Sequence, residues 1–134
     1  MTNGYHEPQD SLSERSRDFH RALSSLMEEL EAVDWYQQRV DATSDTSLRE
    51  ILAHNRDEEI EHAAMVIEWL RRNHPKFDEQ LRVYLFSTGS VVEQEEAHEA
   101  ETGGGEGTPG DGSLGVGRLK ATSKPLDDGE GGER

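Results

Sequence analysis

The 134-residue chain contains no cysteine and no uninterrupted apolar run that approaches about 18 residues. The first absence excludes a scaffold braced by disulfide bonds, and the second argues against a membrane-spanning helix. The N-terminal stretch MTNGYHEPQDSLSERSRD also lacks a basic segment followed by an apolar one, so an export signal is not expected. We therefore predict one cytoplasmic domain that makes no membrane contact.

Positive charge is scarce. The chain has 14 Lys and Arg against 29 Asp and Glu, which gives a formal net charge of −15. Nucleic acid is not an expected partner, because every phosphate contact would be made against net repulsion. The same charge raises the local concentration of cations, and metal ions are therefore the natural partners.

Glycine is nearly absent from the first part of the chain, since 11 of its 13 glycines lie from Gly103 onward. Such a composition can bury little and predicts a flexible or disordered segment. We divide the chain into a flexible N-terminus (1–10), a folded domain (11–92), a Gly/Glu-rich flexible linker (93–112), a short peptide (113–120) and a disordered tail (121–134).

The folded part predicts an all-α protein. Apolar residues recur at steps of three and four from about Ser11 to Val40, and Ser11 with Glu14 forms a possible capping box. No stretch of sustained alternation predicts a strand.

Two further helices follow the polar stretch DATSDT. The second begins after a cap at Asp45 or Ser47 and ends before Pro75, and a short third helix, FDEQLRVYLFST, ends near Gly89. The two long helices, each on the order of 40 Å, are joined by about six residues and must form an antiparallel hairpin.

A carboxylate pair and an imidazole fall on the inward faces of this hairpin. Glu29 precedes the Thr43–Ser44 connection by about as many residues as Glu59 follows it, and His62 lies one turn beyond Glu59 on the same face. Buried charges are costly unless a cation neutralises them, so this layer predicts a metal site. An exposed face held by ion pairs is the alternative interpretation.

A helical hairpin is half of a four-helix bundle, and Glu29 with Glu59-x-x-His62 is half of a ferritin-type di-iron ligand set. Two chains related by a twofold axis would complete both. We therefore expect an obligatory homodimer, or a larger assembly of dimers, with the metal centre on the axis. Spacing by itself leaves iron, zinc and manganese open as the metal.

The stretches MEELEAVDWYQQRVDA, ILAHNRDEEIEHAAM and EWLRRN resemble the encapsulated ferritins, which are short ferritin-like proteins loaded into encapsulin compartments. The resemblance resumes at DGSLGVGRLK, which is similar to the peptide that docks such cargo on the inner wall of the shell. It implies a half ferritin-like bundle completed by homodimerisation, assembly into a ring-shaped decamer, and a ferroxidase that oxidises Fe²⁺ with dioxygen. It also implies location inside an encapsulin nanocompartment in the cytoplasm.

The resemblance assigns roles residue by residue. Glu29, Glu59 and His62 take the iron-ligand positions of a centre with two irons per dimer, and Glu59 is the bridging ligand. An outer site that attracts or gates incoming iron falls on Glu28, Glu31 and Trp35. A further face, which could hold Ca²⁺ or another divalent ion at the contacts between dimers, falls on His54, Glu58 and Glu61.

Several of these residues have a second interpretation from the sequence itself. The acidic face around Glu28 and Glu31 is either hydrated or a funnel for Fe²⁺, and His54, Glu58 and Glu61 either bind a divalent ion or are simply hydrated. Tyr36 either donates a hydrogen bond to a ligand carboxylate or is a core tyrosine with its hydroxyl at the surface. Shell docking would use the apolar residues of 113–120, which are Leu114, Val116 and Leu119.

Two other functions stay open. A haemerythrin-like protein would bind dioxygen at two irons held mainly by histidine, but few histidines lie on the inward faces. A non-catalytic acidic cargo protein would show no iron turnover. The spacing of Glu95 and His98 repeats Glu-x-x-His, and we interpret that copy as solvated because its surroundings lack an apolar stripe.

Overall fold

The structure is a computed structural model that describes residues 4–103. It contains a 3-10 turn, Gln9–Ser11, and four helices: α1 Glu14–Ala42, α2 Thr46–Asn73, α3 Pro75–Tyr84 and α4 Val91–Thr102. Within this part of the chain there is no strand, and the predicted all-α class is confirmed.

The cap of helix α1 lies two residues later than the sequence predicted. Ser13 caps it, since the Ser16 backbone N–H donates to the Ser13 Oγ at 3.1 Å. Ser11 instead ends the 3-10 turn that follows Pro8, so the predicted Ser11–Glu14 capping box is wrong. The residues expected to form a flexible N-terminus therefore include one ordered turn, whose Gln9 carbonyl accepts a hydrogen bond from Arg17 at 2.8 Å.

The connection between α1 and α2 is short. Asp45 caps α2 by accepting a hydrogen bond from the Leu48 N–H at 2.9 Å, which decides between the two predicted caps. Ser47 lies inside the first turn, where its hydroxyl donates to Asp45 at 2.8 Å. The two long helices pack on each other as the predicted antiparallel hairpin.

The corner after α2 follows from proline. Pro75 occupies the first position of α3 and forces the preceding His74 into an extended conformation, with φ −138°, which ends α2. The sequence predicts that α3 ends near Gly89, but the helix ends at Tyr84. Leu85 is extended and Phe86 has a left-handed φ of 60°, so the backbone turns away before the glycine.

The predicted flexible linker, residues 93–112, is wrong over residues 93–102, because these belong to helix α4. The segment VVEQEEAHEAET contains helix-forming Glu, Gln and Ala and no Gly or Pro, and Ser90 caps it. It lies against α3, where the His98 Nε2 is 3.5 Å from the Glu79 Oε1. The rest of the linker, the peptide 113–120 and the tail 121–134 lie outside the described residues.

The hairpin buries little by itself. Of residues 4–103, only Ala63 and Leu70 are buried. Large apolar side chains along α1 and α2 remain exposed by about two-fifths or more of their surface: Met27, Leu30, Trp35, Leu48, Ile51, Ile60, Met65 and Trp69. An apolar surface of this extent marks an interaction face, so the hairpin is half of a four-helix bundle. None of helices α1 to α4 is long and apolar enough to cross a membrane.

Candidate metal centre

The predicted ligands meet across the hairpin. Glu29 of α1 and Glu59 and His62 of α2 each offer one ligand atom, and these three atoms lie within 4.8 Å of one another. The His62 Nδ1 is 3.2 Å from the Glu59 Oε2 and 3.7 Å from the Glu29 Oε2. It is the only group of three potential ligands among residues 4–103.

The backbone explains why these side chains converge. The i, i+3 spacing of Glu59 and His62 places both on one face of α2, and the tight connection at residues 43–45 sets the height of α1 beside them. Glu29 is thereby brought opposite the pair, as the position of the turn predicted.

The electrostatics of the cluster are those of crowded carboxylates. A shared hydrogen bond with Glu59, aided by partial burial, raises the pKa of Glu29. The same bond and the contact with His62 lower the pKa of Glu59, while the hydrogen bond to Glu59 raises the pKa of His62. These opposed shifts show that two carboxylates compete within one small volume, where a bound cation would stabilise both in their ionised form.

The site lies at an open side of the hairpin. About a quarter of the Glu29 and Glu59 side-chain surface is exposed, and about half of that of His62. Three ligands with an open flank can hold a divalent ion, but they leave coordination positions for further groups. The chemistry of the set, hard carboxylates with one imidazole, suits iron.

The residues of the predicted outer site lie along α1. Glu28, Glu31 and Trp35 are all exposed, and Trp35 retains 50% of its surface. Within the described part of the chain, none of them belongs to a group of three potential metal ligands. Their role at an outer iron site stays a prediction.

The predicted face on α2 is assembled in part. The His54 Nε2 lies 3.0 Å from the Glu58 Oε1, and both side chains are more than half exposed. Glu61 is exposed and does not join them in a three-ligand group among residues 4–103. A metal-binding role for this face stays a prediction.

Tyr36 is half-buried and contacts Arg39, whose guanidinium carbon lies 5.2 Å from the centre of its ring. Within residues 4–103 the structure records no hydrogen bond from its hydroxyl to Glu29, Glu59 or His62. In this chain the contact made by Tyr36 is therefore a cation–π interaction, and a bond to a ligand stays a prediction.

Sequence reasoning missed the contact of His98 with Glu79. It treated Glu95 and His98 as a solvated pair, because it found no apolar stripe around them. The sequence signal for this helix is the Ser90–Glu93 spacing, which is typical of a helix N-terminus. The helix that begins there is long enough to lie along α3. Leu114, Val116 and Leu119 lie outside the described residues.

Comparison with known proteins bears on this cluster. Residues 4–88 match the family described as EncFtn-like. The chain belongs to that family. A relative from Rhodospirillum rubrum, described as an encapsulated ferritin-like protein, is 56% identical over 125 residues that cover 89% of both chains. A Thermotoga maritima relative, described as a ferritin-like protein, is 56% identical over 119 residues, or 89% of this chain and all of its own.

A crystal structure of a Nitrosomonas europaea protein is also similar to this EncFtn-like chain. It has a TM-score of 0.64 and 58% sequence identity, and the match covers 66% of this chain and 98% of that one. Membership of the EncFtn-like family confirms the resemblance inferred from the sequence and supports a ferritin-like role that involves iron.

Proposed function

We propose that this EncFtn-like chain is a ferroxidase, which oxidises Fe²⁺ to Fe³⁺ with dioxygen at a di-iron centre formed where two copies meet. The observation that carries the proposal is the convergence of Glu29, Glu59 and His62, with their ligand atoms within 4.8 Å. Iron is the substrate in this reaction: each Fe²⁺ gives up one electron, and dioxygen accepts it.

Symmetry supports a centre of two irons. A ferritin-type site takes one Glu from each of two helices and a Glu-x-x-His pair from each of two others. One chain offers half of this set, in the right arrangement and on the open side of its hairpin. A twofold axis beside the cluster would supply the other half, so two irons per dimer are expected.

The uncovered apolar surface supports the same assembly. Ile51 and Met65 are 58% and 64% exposed, and they lie on the same face of α2 as the ligand His62, Ile51 about three turns before it and Met65 one turn after it. Packing a second hairpin there would remove this surface from water at about 25 cal/mol per Å². It would also enclose the ligands, which strengthens their electrostatic interaction with a cation.

The ligand residues have separable tasks. Glu29 and Glu59 supply negative charge, which favours Fe³⁺ over Fe²⁺ and thereby drives the loss of an electron. Glu59 would be the carboxylate that bridges the two irons, as the resemblance to the encapsulated ferritins implies. His62 supplies the imidazole, and its Nδ1 faces the carboxylates.

Location inside an encapsulin compartment is part of the proposal. It rests on the resemblance of residues 113–120 to a shell-docking peptide and on the name of the Rhodospirillum rubrum relative. Ten copies in a ring would bind the shell through avidity even if each peptide bound weakly. Iron oxidised at the ring would be stored in the volume of the shell, because a half bundle encloses no comparable cavity.

The secondary sites complete the proposal. Glu28, Glu31 and Trp35 would attract or gate iron on its way to the centre, and His54 with Glu58 and Glu61 would hold Ca²⁺ or another divalent ion between dimers. The closeness of His54 and Glu58 supports the second of these roles.

The test is the initial rate of aerobic Fe²⁺ oxidation, followed by ferric absorbance, for the wild-type protein and a Glu59→Gln variant. We expect a rate well above that of protein-free buffer. Glu59→Gln should lower it by at least about 10- to 100-fold, the range seen when only the partners of metal ligands are removed.

Glu50→Gln is the matched control, because it removes the same charge from an exposed position of the same helix. Its rate should equal that of the wild type. Equal rates in all three proteins, close to that of buffer, would reject the ferroxidase and favour an acidic cargo protein. A haemerythrin-like site receives no support, since His62 is the only histidine in the cluster.

A further inference from the structure

A recess of about 510 Å³ opens at the end of the hairpin away from its turn. It lies where the start of α1, the end of α2 and the whole of α3 come together, and its charged lining residues are Arg15, Arg71, Arg72, Asp78 and Arg82. Four arginines in one place are unusual in a chain whose net charge is −15. The proposed ferroxidase makes no use of them.

Three of these arginines form a continuous row of ion pairs with two carboxylates. Arg71 is at its centre: its Nε and Nη2 donate to Glu68 at 2.8 and 2.7 Å, and its Nη1 donates to Asp78. Arg72 also donates to Glu68, at 2.9 Å, and Arg82 donates to both oxygens of Asp78 at 3.0 Å. The row fixes the position of the two outer guanidinium groups.

The charge of the recess is positive and constant near neutral pH. Arg71 and Arg72 lower the pKa of Glu68 to about 2, and Arg82 and Arg71 lower the pKa of Asp78. Both carboxylates therefore stay ionised. Among residues 4–103, Arg15 donates only to the Asn73 carbonyl, and the four arginines outnumber these two carboxylates by two. Two positive charges are therefore left uncompensated within this part of the chain.

The outer arginines keep donors in reserve. Among the contacts of residues 4–103, Arg72 and Arg82 each use only the Nε in hydrogen bonds, which leaves the two terminal nitrogens of each guanidinium available. Their side chains are 70% and 68% exposed. Both residues line the same recess, so we expect one small ligand to reach donors from both.

We propose that this recess binds inorganic phosphate. Phosphate carries a charge of about −1.5 to −2 near pH 7, which matches the two uncompensated positive charges. The planar fork of arginine fits its oxygens, and such charge-assisted bonds are the stronger kind.

The lining favours a small oxyanion over a nucleotide. Beyond the charged groups it consists of Asn73 and Pro75, so no aromatic side chain is available for a base to stack on. The overall charge of −15 does not prevent binding, since interactions between exposed charges are screened beyond about 8 Å at physiological ionic strength.

The phosphate site is separate from the iron cluster. Arg72 follows His62 by ten residues on α2, which is about 15 Å along the helix. Binding can thus be measured without iron, and its failure would leave the proposed ferroxidase unaffected.

The experiment is calorimetric titration of sodium phosphate into the full-length, metal-free protein at constant ionic strength. We expect saturable binding that sodium chloride does not reproduce. The double variant Arg72→Gln/Arg82→Gln should weaken it by at least about tenfold, because each removed guanidinium takes away charge-assisted bonds. Arg21→Gln is the control: it removes an exposed arginine of α1 that pairs with Asp18 outside the recess, and its binding should be unchanged.

The single variants Arg72→Gln and Arg82→Gln cover the case in which the double variant loses its helical circular dichroism. Each should weaken binding by a few fold while keeping the helix content. Absence of saturable binding in the wild type would overturn the proposal. So would affinities in folded Arg72→Gln and Arg82→Gln proteins that equal those of the wild type and of Arg21→Gln.

Discussion

The α1/α2 hairpin and the arm formed by α3 and α4 (Pro75–Thr102) are held by different forces. Along the hairpin, apolar side chains pack between two long helices, and Leu70 is completely buried. The arm has no buried residue, and its polar contacts include Arg71 to Asp78 at the corner and His98 to Glu79 between its two helices. Aromatic contacts of Phe19 with His74 and Phe77 reinforce the corner.

Because the two parts are held differently, changes in them should have different consequences. The hairpin carries the candidate metal ligands and leaves apolar surface uncovered, which in our proposal a second copy covers. The arm has no three-ligand group among its described residues, and its exposed contacts are individually weak. Changes in the hairpin should therefore alter assembly and iron chemistry, whereas changes in the arm should alter local order.

The largest expected effect is that of Ile51→Asp, at a residue that is 58% exposed on the His62 face of α2. An unpaired charge in an apolar interface costs several kcal/mol, so this variant should lose the dimer that shares the metal site and should oxidise Fe²⁺ no faster than buffer. Light scattering on a sizing column gives the mass, which should fall below that of the wild type. Val92→Asp places the same residue on α4, where the wild-type side chain is 65% exposed. It should keep the wild-type mass, and an Ile51→Asp protein that also kept it would show that this face is not an interface.

The second-largest expected effect is the loss of stability in Leu70→Ala. Leu70 is 0% exposed, and deleting a buried leucine side chain costs about 2–5 kcal/mol through lost burial and the cavity that remains. Chemical denaturation at matched protein concentration measures the free energy of unfolding. Leu85→Ala, at a residue 47% exposed, should cost about 1 kcal/mol or less. Similar losses in both variants would mean that the arm is as tightly packed as the hairpin.

Ser90→Ala should affect α4 alone. Ser90 Oγ accepts a hydrogen bond from the Glu93 N–H, and removal of such a cap costs about 1 kcal/mol. Amide exchange in residues 91–102 should become about fivefold faster, while the oxidation rate stays unchanged. Ser90→Thr keeps a hydroxyl cap and should restore slow exchange. A drop in oxidation rate with Ser90→Ala would connect the arm to the metal site.

The smallest expected effect is on how the free energy of unfolding depends on pH in acid. Arg71 and Arg72 hold the pKa of Glu68 at about 2, below its usual 4.5. Because the folded-state pKa is lowered, the stabilisation is present above pH 4.5 and is lost as the pH falls from 4.5 towards 2. Over that window, the stability of Glu68→Gln should fall less steeply than that of the wild type. Parallel curves would show that the row of ion pairs contributes nothing to folding.

The hairpin and its metal cluster could be predicted because both depend on local rules. Three- and four-residue periodicity gave the helices, the polar stretch before Leu48 gave the turn, and counting from that turn placed Glu29 opposite Glu59. The side on which the hairpin stays open could not be predicted. Exposure of Leu30 and Ile60 depends on how the two helices rotate about their axes.

The arm was predicted less well, because its structure does not depend on an apolar stripe. Helix α4 has two valines at its start but no apolar stripe along its length, so hydrophobic periodicity does not predict it. Its cap at Ser90 and its contact with Glu79 stabilise it instead. The end of α3 depends on the left-handed conformation of Phe86, which local propensity disfavours.

The central claim is that the iron site is shared between two chains, and anaerobic Fe²⁺ titration of wild-type and Ile51→Asp protein tests it most directly. Ile51→Asp keeps all three ligands and adds its carboxylate about 12 Å along α2 from Glu59, so it acts on the dimer and not on the ligands themselves. The wild type should saturate at one iron per chain, two per dimer, and the variant that no longer forms this dimer should bind iron at least about tenfold more weakly. A variant that has lost the dimer but binds one iron per chain with wild-type affinity would contradict the claim and place a complete site within a single hairpin.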